Sequence, residues 1–167
     1  TTWVLSNHDV VRHATRYGLP DLLEGEESVV GQKWLLDGGS LADVDVEQGN
    51  RRADATTMLL LALPGATYLY QGEELGLHEV GDIADADRQD PTFFRSPGVD
   101  IGRDGCRVPL PWVADAQGYG FGSETPHFPQ PTWFADHAVD VEDRDPHSTL
   151  NLYRQALSLR KRLLTEE

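Results

Sequence analysis

A histidine and an aspartate, His8 and Asp9, stand side by side just after a short apolar run. Such a pair can donate and accept hydrogen bonds at one place. Residues 1–5 are rich in β-branched and aromatic side chains, which favour a buried strand, and Ser6 and Asn7 end the run. The pair should therefore lie at the carboxyl end of a strand, where α/β barrels keep their active sites. The alternative for so short a motif is a turn aspartate beside a core histidine.

Three segments of the chain carry motifs in a fixed order. They read WVLSNHDVVR at residues 3–12, GATYLYQGEELG at residues 65–76 and GRDGCRVPLPW at residues 102–112. In this order they resemble the seventh strand, the eighth strand with its loop, and a pocket-lining segment of the α-amylase superfamily of glycoside hydrolases, specifically its α-glucosidase and oligo-1,6-glucosidase branch. The resemblance covers nearly the whole chain, but only the final part of the family's catalytic barrel.

This resemblance implies an α/β fold that is a fragment of a (β/α)8 TIM barrel. On this interpretation residues 1–167 form a single partial domain, in which the seventh and eighth strands carry helices and long active-site loops, so that helix and loop outweigh strand. The family's nucleophilic aspartate and general-acid glutamate lie on earlier strands, and no motif here resembles either. We therefore expect the isolated chain to be inactive. We also expect it to self-associate, or to order only in part, because its strand edges and a helix face lack the remainder of the barrel that would cover them.

The same resemblance implies a retaining α-glucosidase that hydrolyses short α-glucosides of the maltose, isomaltose or sucrose type. In this chemistry one carboxylate attacks the sugar, and a second, about 5 Å away, acts first as acid and then as base. Two alternatives stay open. One is glucosyl transfer or sucrose isomerisation through the same covalent intermediate, and the other is a noncatalytic relative in which the barrel serves as a scaffold.

The resemblance assigns roles to four residues, and from the residues present we expect no metal and no cofactor. Asp9 matches a third carboxylate, a transition-state stabiliser that hydrogen-bonds the 2- and 3-hydroxyls of the sugar. His8 matches a histidine that donates to a neighbouring hydroxyl. Arg103 is the expected further pocket residue, because a planar guanidinium can bridge a hydroxyl and a carboxylate. Arg107 can exchange roles with Arg103, one facing the sugar and the other holding the loop, and a structural role is the alternative for both.

Other polar residues are weaker candidates. Glu73 and Glu74 follow a strand end as catalytic carboxylates do, but their counterparts in the family are mainly supporting. Arg12 is expected to make a structural salt bridge or a loop contact. An acidic cluster suggests calcium, yet it lacks the spacing of an EF-hand, so a solvated loop is expected. The cluster consists of Asp82, Asp85, Asp87 and Asp90.

Apolar spacing and helix end signals predict the elements that position these residues. We predict helices over residues 26–36, 50–63 and 146–164, and a strand over residues 66–70. Asn50 is the expected N-cap of the second helix, whose apolar second half should be buried. A long loop, residues 71–145, precedes the final helix, for which Asp145 is the expected N-cap.

The composition limits the possible partners. A net charge of −14 argues against nucleic acid, because affinity for duplexes depends mainly on Lys and Arg. No run approaches the roughly 20 apolar residues of a membrane span, so no membrane partner is expected. The one cysteine, Cys106, excludes an internal disulfide and permits a reducing compartment, and we expect a cytoplasmic protein. The expected partner is a small α-glucoside.

Overall fold

A computed structural model describes residues 1–20, 29–122 and 125–164 of the chain. Its strands and α-helices, in chain order, are β1 (Thr2–Val4), α1 (His13–Gly18), α2 (Val30–Leu36), α3 (Val46–Ala62), β2 (Ala66–Tyr68), α4 (Pro91–Arg95), α5 (Val139–Glu142) and α6 (Thr149–Leu164). Short 3₁₀-helices cover Leu41–Asp43, Glu73–Leu75, Asp85–Asp87, Gly105–Arg107, Gln117–Gly120 and Thr132–His137. Helix and irregular chain outweigh strand in the described residues, as predicted.

The two strands pair in parallel, with Thr2 opposite Ala66 and Val4 opposite Tyr68. A parallel pair requires a crossover connection, and the helices between β1 and β2 provide it. Both strands therefore end at the same edge, and the residues that follow them meet there. Of the predicted helix 26–36, residues 26–28 lie outside the described part, and α2 begins at Val30.

Helix α3 begins at Val46, and Asn50 is not its N-cap. Asp45 caps the helix instead, because its side chain accepts a hydrogen bond from the backbone N–H of Gln48. Asn50 lies inside the helix, where its Oδ1 is 2.9 Å from Nε2 of the buried His78. The prediction was wrong because Asn50 is used to satisfy a buried imidazole, while Asp45 is the cap.

Helix α6 begins at Thr149 rather than at residue 146, and Asp145 does not cap it. The carboxylate of Asp145 accepts a hydrogen bond from the N–H of His147 in a turn before the helix. Glu142 and Ser148 accept hydrogen bonds from two backbone N–H groups of the first turn of α6. These two side chains satisfy donors that the first turn of a helix leaves free, so the helix begins where they reach it.

Segment 71–145 is not one featureless loop. Its described residues form several short helices, of which Thr132–His137 is the longest with 6 residues. Apolar side chains of this segment pack into a core together with Leu150 of α6. The core consists of Leu75, Leu77, Val80, Ile83, Val108, Leu110, Phe128, Phe134 and Leu150. The segment is therefore an ordered body that carries polar side chains to the strand ends.

Helices α1 and α3 pack with their backbones in close contact. A Cβ atom on Gly49 of α3 would lie 2.4 Å from the carbonyl oxygen of Ala14, and one on Gly18 would lie 2.5 Å from that of Asp45. Only glycine allows this approach at both positions. The contact fixes α1, and with it the residues that follow β1, against the longest helix of the described chain.

Helix α6 packs along α3 but leaves an apolar groove of about 350 Å³ between them. The hydroxyl groups of Thr57 and Tyr153 lie 2.9 Å apart in the buried part of the contact. Met58 and Leu59, which the sequence predicts to be buried, are instead 54% and 62% exposed. Within the described ranges, no helix is long and apolar enough to cross a membrane.

Candidate active site

The site begins at Asp9, in the turn that follows β1. The backbone N–H of Asp9 donates to the side chain of Asn7 over 2.8 Å, which holds the turn. The Nε2 atom of His8 lies 3.3 Å from Oδ2 of Asp9, and both side chains are largely accessible to solvent. The imidazole and the carboxylate are therefore placed to meet a ligand from outside.

Two arginines from a distant segment complete the site. Nη1 of Arg103 donates to Oδ1 of Asp9 over 2.8 Å. Arg107 donates through Nε and Nη2 to the carbonyl oxygen of His8, over 3.2 and 2.9 Å. Arg103 thus hydrogen-bonds the Asp9 carboxylate, while Arg107 holds the turn and forms only longer ion pairs with Asp9 and Asp90, over 3.6 and 3.7 Å. The four residues singled out in the sequence lie together in the structure.

A fifth residue, Asp90, belongs to this cluster and was not predicted as part of it. Its side chain is fully buried and lies 2.6 Å from Nε of Arg103. The hydrogen bonds from Arg103 hold the pKa of the Asp90 carboxyl well below its usual range. The sequence predicts a solvated acidic loop, and for Asp90 this prediction is wrong, because its carboxylate is buried and paired with Arg103. Pro91 directly after it, a signal for a helix N-cap, is the one sequence feature that marks its position.

A cavity of about 270 Å³ opens beside Asp9 and Arg103. Its wall also includes Glu79, Thr92 and Cys106. The volume lies close to the lower end of the range for small-molecule pockets. Charged and polar groups share the wall with apolar side chains such as Val10 and Leu35. A small ligand that carries both hydroxyl groups and apolar C–H surface fits this chemistry.

Arg12 ties together the loops that carry the site. Its guanidinium donates to the carbonyl oxygens of Gln71 and Cys106 over 2.9 and 3.1 Å. Its backbone N–H donates to the carboxylate of Glu79 over 2.9 Å. These acceptors belong to the loop after β2 and to the segment of Arg103. Arg12 therefore has a structural role, because it connects the two segments through hydrogen bonds. The expected loop contact of Arg12 is confirmed.

Ser6, His13 and Glu73 form a buried polar cluster beneath the site. Nδ1 of His13 lies 2.9 Å from Oγ of Ser6 and 3.2 Å from Oε2 of Glu73. Burial lowers the pKa of His13 to about 4 and raises that of Glu73 to about 7. A Ser-His-acid triad requires the serine and the acid on opposite ring nitrogens, and here both face the same one. The cluster therefore lacks the geometry of a nucleophilic triad.

The acidic cluster considered for calcium does not converge on one point. Asp85 lies 3.7 Å from Nε of Arg88, and Asp90 is held by Arg103. Across the part of the chain that the structure covers, no three His, Cys, Asp or Glu side chains form a group suited to a metal ion.

The fold and the site define a class: part of a (β/α)8 barrel that bears its polar residues at the carboxyl ends of parallel strands. The chain belongs to the α-amylase family, because residues 38–167 match the family described as "Alpha amylase, catalytic domain".

Three similar proteins illustrate the range of this family. The chain is 36% identical over 159 residues to a probable alpha-glucosidase of Rhizobium meliloti (strain 1021), a match that covers 95% of the chain and 24% of that protein. It is 29% identical over 157 residues to the amino acid transporter heavy chain SLC3A1 of Rattus norvegicus, which covers 93% of the chain and 20% of that protein. The crystal structure of the alpha-glucosyl transfer enzyme XgtA is similar with a TM-score of 0.73 and 36% identity, covering 97% of the chain and 25% of that structure. The chain thus spans a fifth to a quarter of the length of these relatives.

Proposed function

We propose that the full-length protein that contains this chain is a retaining α-glucosidase acting on short α-glucosides. One observation carries the proposal. Asp9 stands half exposed at the carboxyl end of β1, with Nη1 of Arg103 2.8 Å from its carboxylate. Membership of the α-amylase family and the similarity to a probable alpha-glucosidase support the activity.

The proposed role of Asp9 is to stabilise the transition state. Glycoside cleavage passes through an oxocarbenium-like state, and hydrogen bonds to the sugar hydroxyls strengthen as charge develops on the ring. A carboxylate at this place accepts such hydrogen bonds. Because the interaction is stronger in the transition state than in the bound substrate, it raises kcat rather than lowering KM alone. His8 and Arg103 are the proposed donors to the same sugar, and Arg107 supports them.

We further propose that the nucleophile and the general acid lie on other strands of the barrel. Two other carboxylates on the cavity wall are Glu79 and Asp100. Glu79 is only 2% exposed, and Asp100 accepts a hydrogen bond from the backbone N–H of Gly102. Glu79 is therefore closed to a sugar, and the sequence around Asp100 resembles neither the nucleophile motif nor the general-acid motif of the family. On this proposal the 167-residue chain alone does not hydrolyse glucosides.

The test is the Asp9→Asn substitution in the full-length protein. We expect kcat for hydrolysis of 4-nitrophenyl α-glucoside to fall by roughly 10²–10³-fold, the range for loss of one preorganised transition-state group. The melting temperature should change little, because Asp9 is half exposed. Asp43→Asn, which removes an exposed carboxylate of Leu41–Asp43, is the control and should keep full activity. An Asp9→Asn variant with normal turnover would exclude the proposed role.

Glucosyl transfer is a second candidate, supported by the similarity to XgtA. The covalent intermediate of a retaining enzyme can react with a sugar hydroxyl instead of water, and the residues described above serve both outcomes. Product analysis with maltose and with sucrose separates them. Free glucose as the main product supports hydrolysis, whereas new oligosaccharides or sucrose isomers support transfer or isomerisation.

A noncatalytic scaffold is the alternative from a different class, because one relative is named a transporter heavy chain. The assembled group of His8, Asp9 and Arg103 argues against it, since a scaffold has no need of an open, charged pocket. Absence of both hydrolysis and transfer in the wild-type full-length protein would favour the scaffold.

A further inference from the structure

Asp90 binds one complete edge of the Arg103 guanidinium. Its Oδ2 accepts hydrogen bonds from Nε over 2.6 Å and from the backbone N–H of Arg103 over 3.1 Å. Its Oδ1 accepts from Nη2 over 3.3 Å. This side-on arrangement leaves Nη1 free for Oδ1 of Asp9. Oδ1 of Asp9 therefore receives one nitrogen of Arg103, with Nη2 of Arg107 farther away at 3.6 Å. Oδ2 of Asp9 is not taken by either arginine, and its neighbour is the largely exposed imidazole of His8, 3.3 Å away.

Asp90 is itself held in a fixed place. The carboxylate of Asp104 accepts hydrogen bonds from the backbone N–H groups of Gln89 and Asp90, over 2.9 and 3.1 Å. Gly102 lies so close that an added Cβ would be 2.8 Å from Cβ of Asp90, and its φ of +83° favours glycine. Asp104 and Asp90 are both 2% exposed. The Asp90 carboxylate is thus a rigid anchor behind the active site.

We propose that Asp90 is a positioning residue, which holds Arg103 so that only one guanidinium nitrogen faces Asp9 and the rest of the Asp9 carboxylate stays available to sugar hydroxyls. The inference rests on the proposed α-glucosidase function. Without Asp90, the planar guanidinium can turn its two-nitrogen edge toward Asp9, because bidentate pairing is its preferred contact with a carboxylate. Asp9 is then occupied on both oxygens. The ordering of a long side chain is lost as well.

The test is a double-mutant cycle with Asp90→Asn and Arg103→Gln in the full-length protein. We expect D90N alone to lower kcat/KM for 4-nitrophenyl α-glucoside by at least about tenfold, mainly through kcat, because the Asp9 contact acts in the transition state. In the R103Q background, D90N should cost less than about twofold, since residues that act through one contact are not additive. An equal loss in both backgrounds would show that Asp90 does not act through Arg103.

Glu142→Gln is the control for loss of a buried carboxylate, because Glu142 is 8% exposed and accepts the backbone N–H of Leu150 at the start of α6. Whatever E142Q costs in melting temperature, its effect on kcat/KM should be the same with and without Arg103. A coupling as large as that of D90N would mean that loss of a buried carboxylate in general, and not positioning, explains the cycle.

A crystal structure of the D90N full-length protein gives a readout that does not require activity. We expect two nitrogens of Arg103 within hydrogen-bonding distance of Asp9. An Arg103 that keeps a single contact with Asp9 would overturn the inference. If the wild-type protein hydrolyses no α-glucoside, the proposed function fails, and this structure still decides whether Asp90 sets the orientation of Arg103.

Discussion

Glu79 is a carboxyl group buried next to the active site. It is 2% exposed, and burial raises its pKa to about 7, although the positive charge of Arg12 acts in the opposite direction. Thr15 fixes the backbone of this residue, because its Oγ1 accepts the N–H of Glu79 over 2.7 Å. The buried carboxylate is thus a cost to stability that depends on pH.

The pH dependence of stability tests this burial through Glu79→Gln. In the folded state the Glu79 carboxyl keeps its proton up to a pH of about 7, whereas in the unfolded state it loses this proton near pH 4.5. The folded state therefore binds more protons in this window, and stability falls as pH rises through it, up to a few kcal/mol at about 1.4 kcal/mol per pKa unit. A glutamine can still accept the N–H of Arg12 without carrying a charge. We expect E79Q to gain stability relative to wild type from pH 5 to pH 8, measured by urea denaturation of the full-length protein.

Glu47→Gln is the control for this comparison. The Glu47 side chain is 82% exposed and pairs with Arg51 on the surface of α3. Surface pairs of this kind contribute little, so E47Q should follow the wild-type profile at both pH values. A constant difference between E79Q and wild type at pH 5 and pH 8 would show that Glu79 is charged throughout.

At this scale the sequence predicts the residues that belong to short motifs. His8 and Asp9 stand together at a recognisable strand end, and Arg103 lies in a motif of its own. Asp90 escapes prediction because its partner Arg103 is reached through an irregular loop, where no period links the two residues. Glu79 escapes because nothing in its local sequence distinguishes a buried carboxyl from a solvated one.

At the scale of elements, the contact of α1 with α3 depends on two glycines. An alanine inside a helix is normally favoured over glycine by roughly 0.8–1 kcal/mol. At Gly49, however, the added Cβ would lie 2.4 Å from the carbonyl oxygen of Ala14. Both are parts of packed helices, so the clash is relieved only if one whole helix shifts. Overpacking of this kind typically costs about 1–3 kcal/mol.

We therefore expect Gly49→Ala to destabilise the full-length protein by about 1–2 kcal/mol, despite its better helix propensity. The measurement is the midpoint of urea denaturation. Gly122→Ala is the control, since a Cβ there meets no atom within 4 Å, and it should stay within about 0.5 kcal/mol of wild type. A G49A protein as stable as the wild type would mean that α1 and α3 can separate without loss.

The elements themselves are predictable where the sequence pattern is local. Parallel strands and the long helix before β2 follow from apolar runs and from Pro64 and Gly65. The residues at which the helices begin are not predictable in this way, because several side chains compete to cap each helix. Asp45 replaces Asn50 at α3, and Glu142 and Ser148 replace Asp145 at α6. Such choices depend on tertiary contacts that a local pattern does not contain.

At the scale of the whole molecule, helices α3 and α6 leave an apolar face uncovered in the described residues. The groove between these helices has a volume of about 350 Å³, and Met58 and Leu159 on its wall are 54% and 45% exposed. Burying one such side chain fully is worth roughly 1.5–3 kcal/mol. The strands are exposed as well, with Tyr68 of β2 64% exposed. We propose that other parts of the barrel cover both surfaces in the full-length protein.

The isolated 167-residue chain should therefore self-associate through this face. We expect sedimentation velocity to show a distribution that shifts to larger species with rising concentration, and Met58→Lys with Leu159→Lys to reduce that shift, because a charge on each helix makes burial of the groove costly. Phe94→Lys with Val99→Lys is the matched control, since these side chains are 63% and 68% exposed but do not line the groove. An equal reduction by both pairs would indicate a general effect of added charge. A monomer that melts in one sharp transition at every concentration would show that the chain folds without a cover for this face.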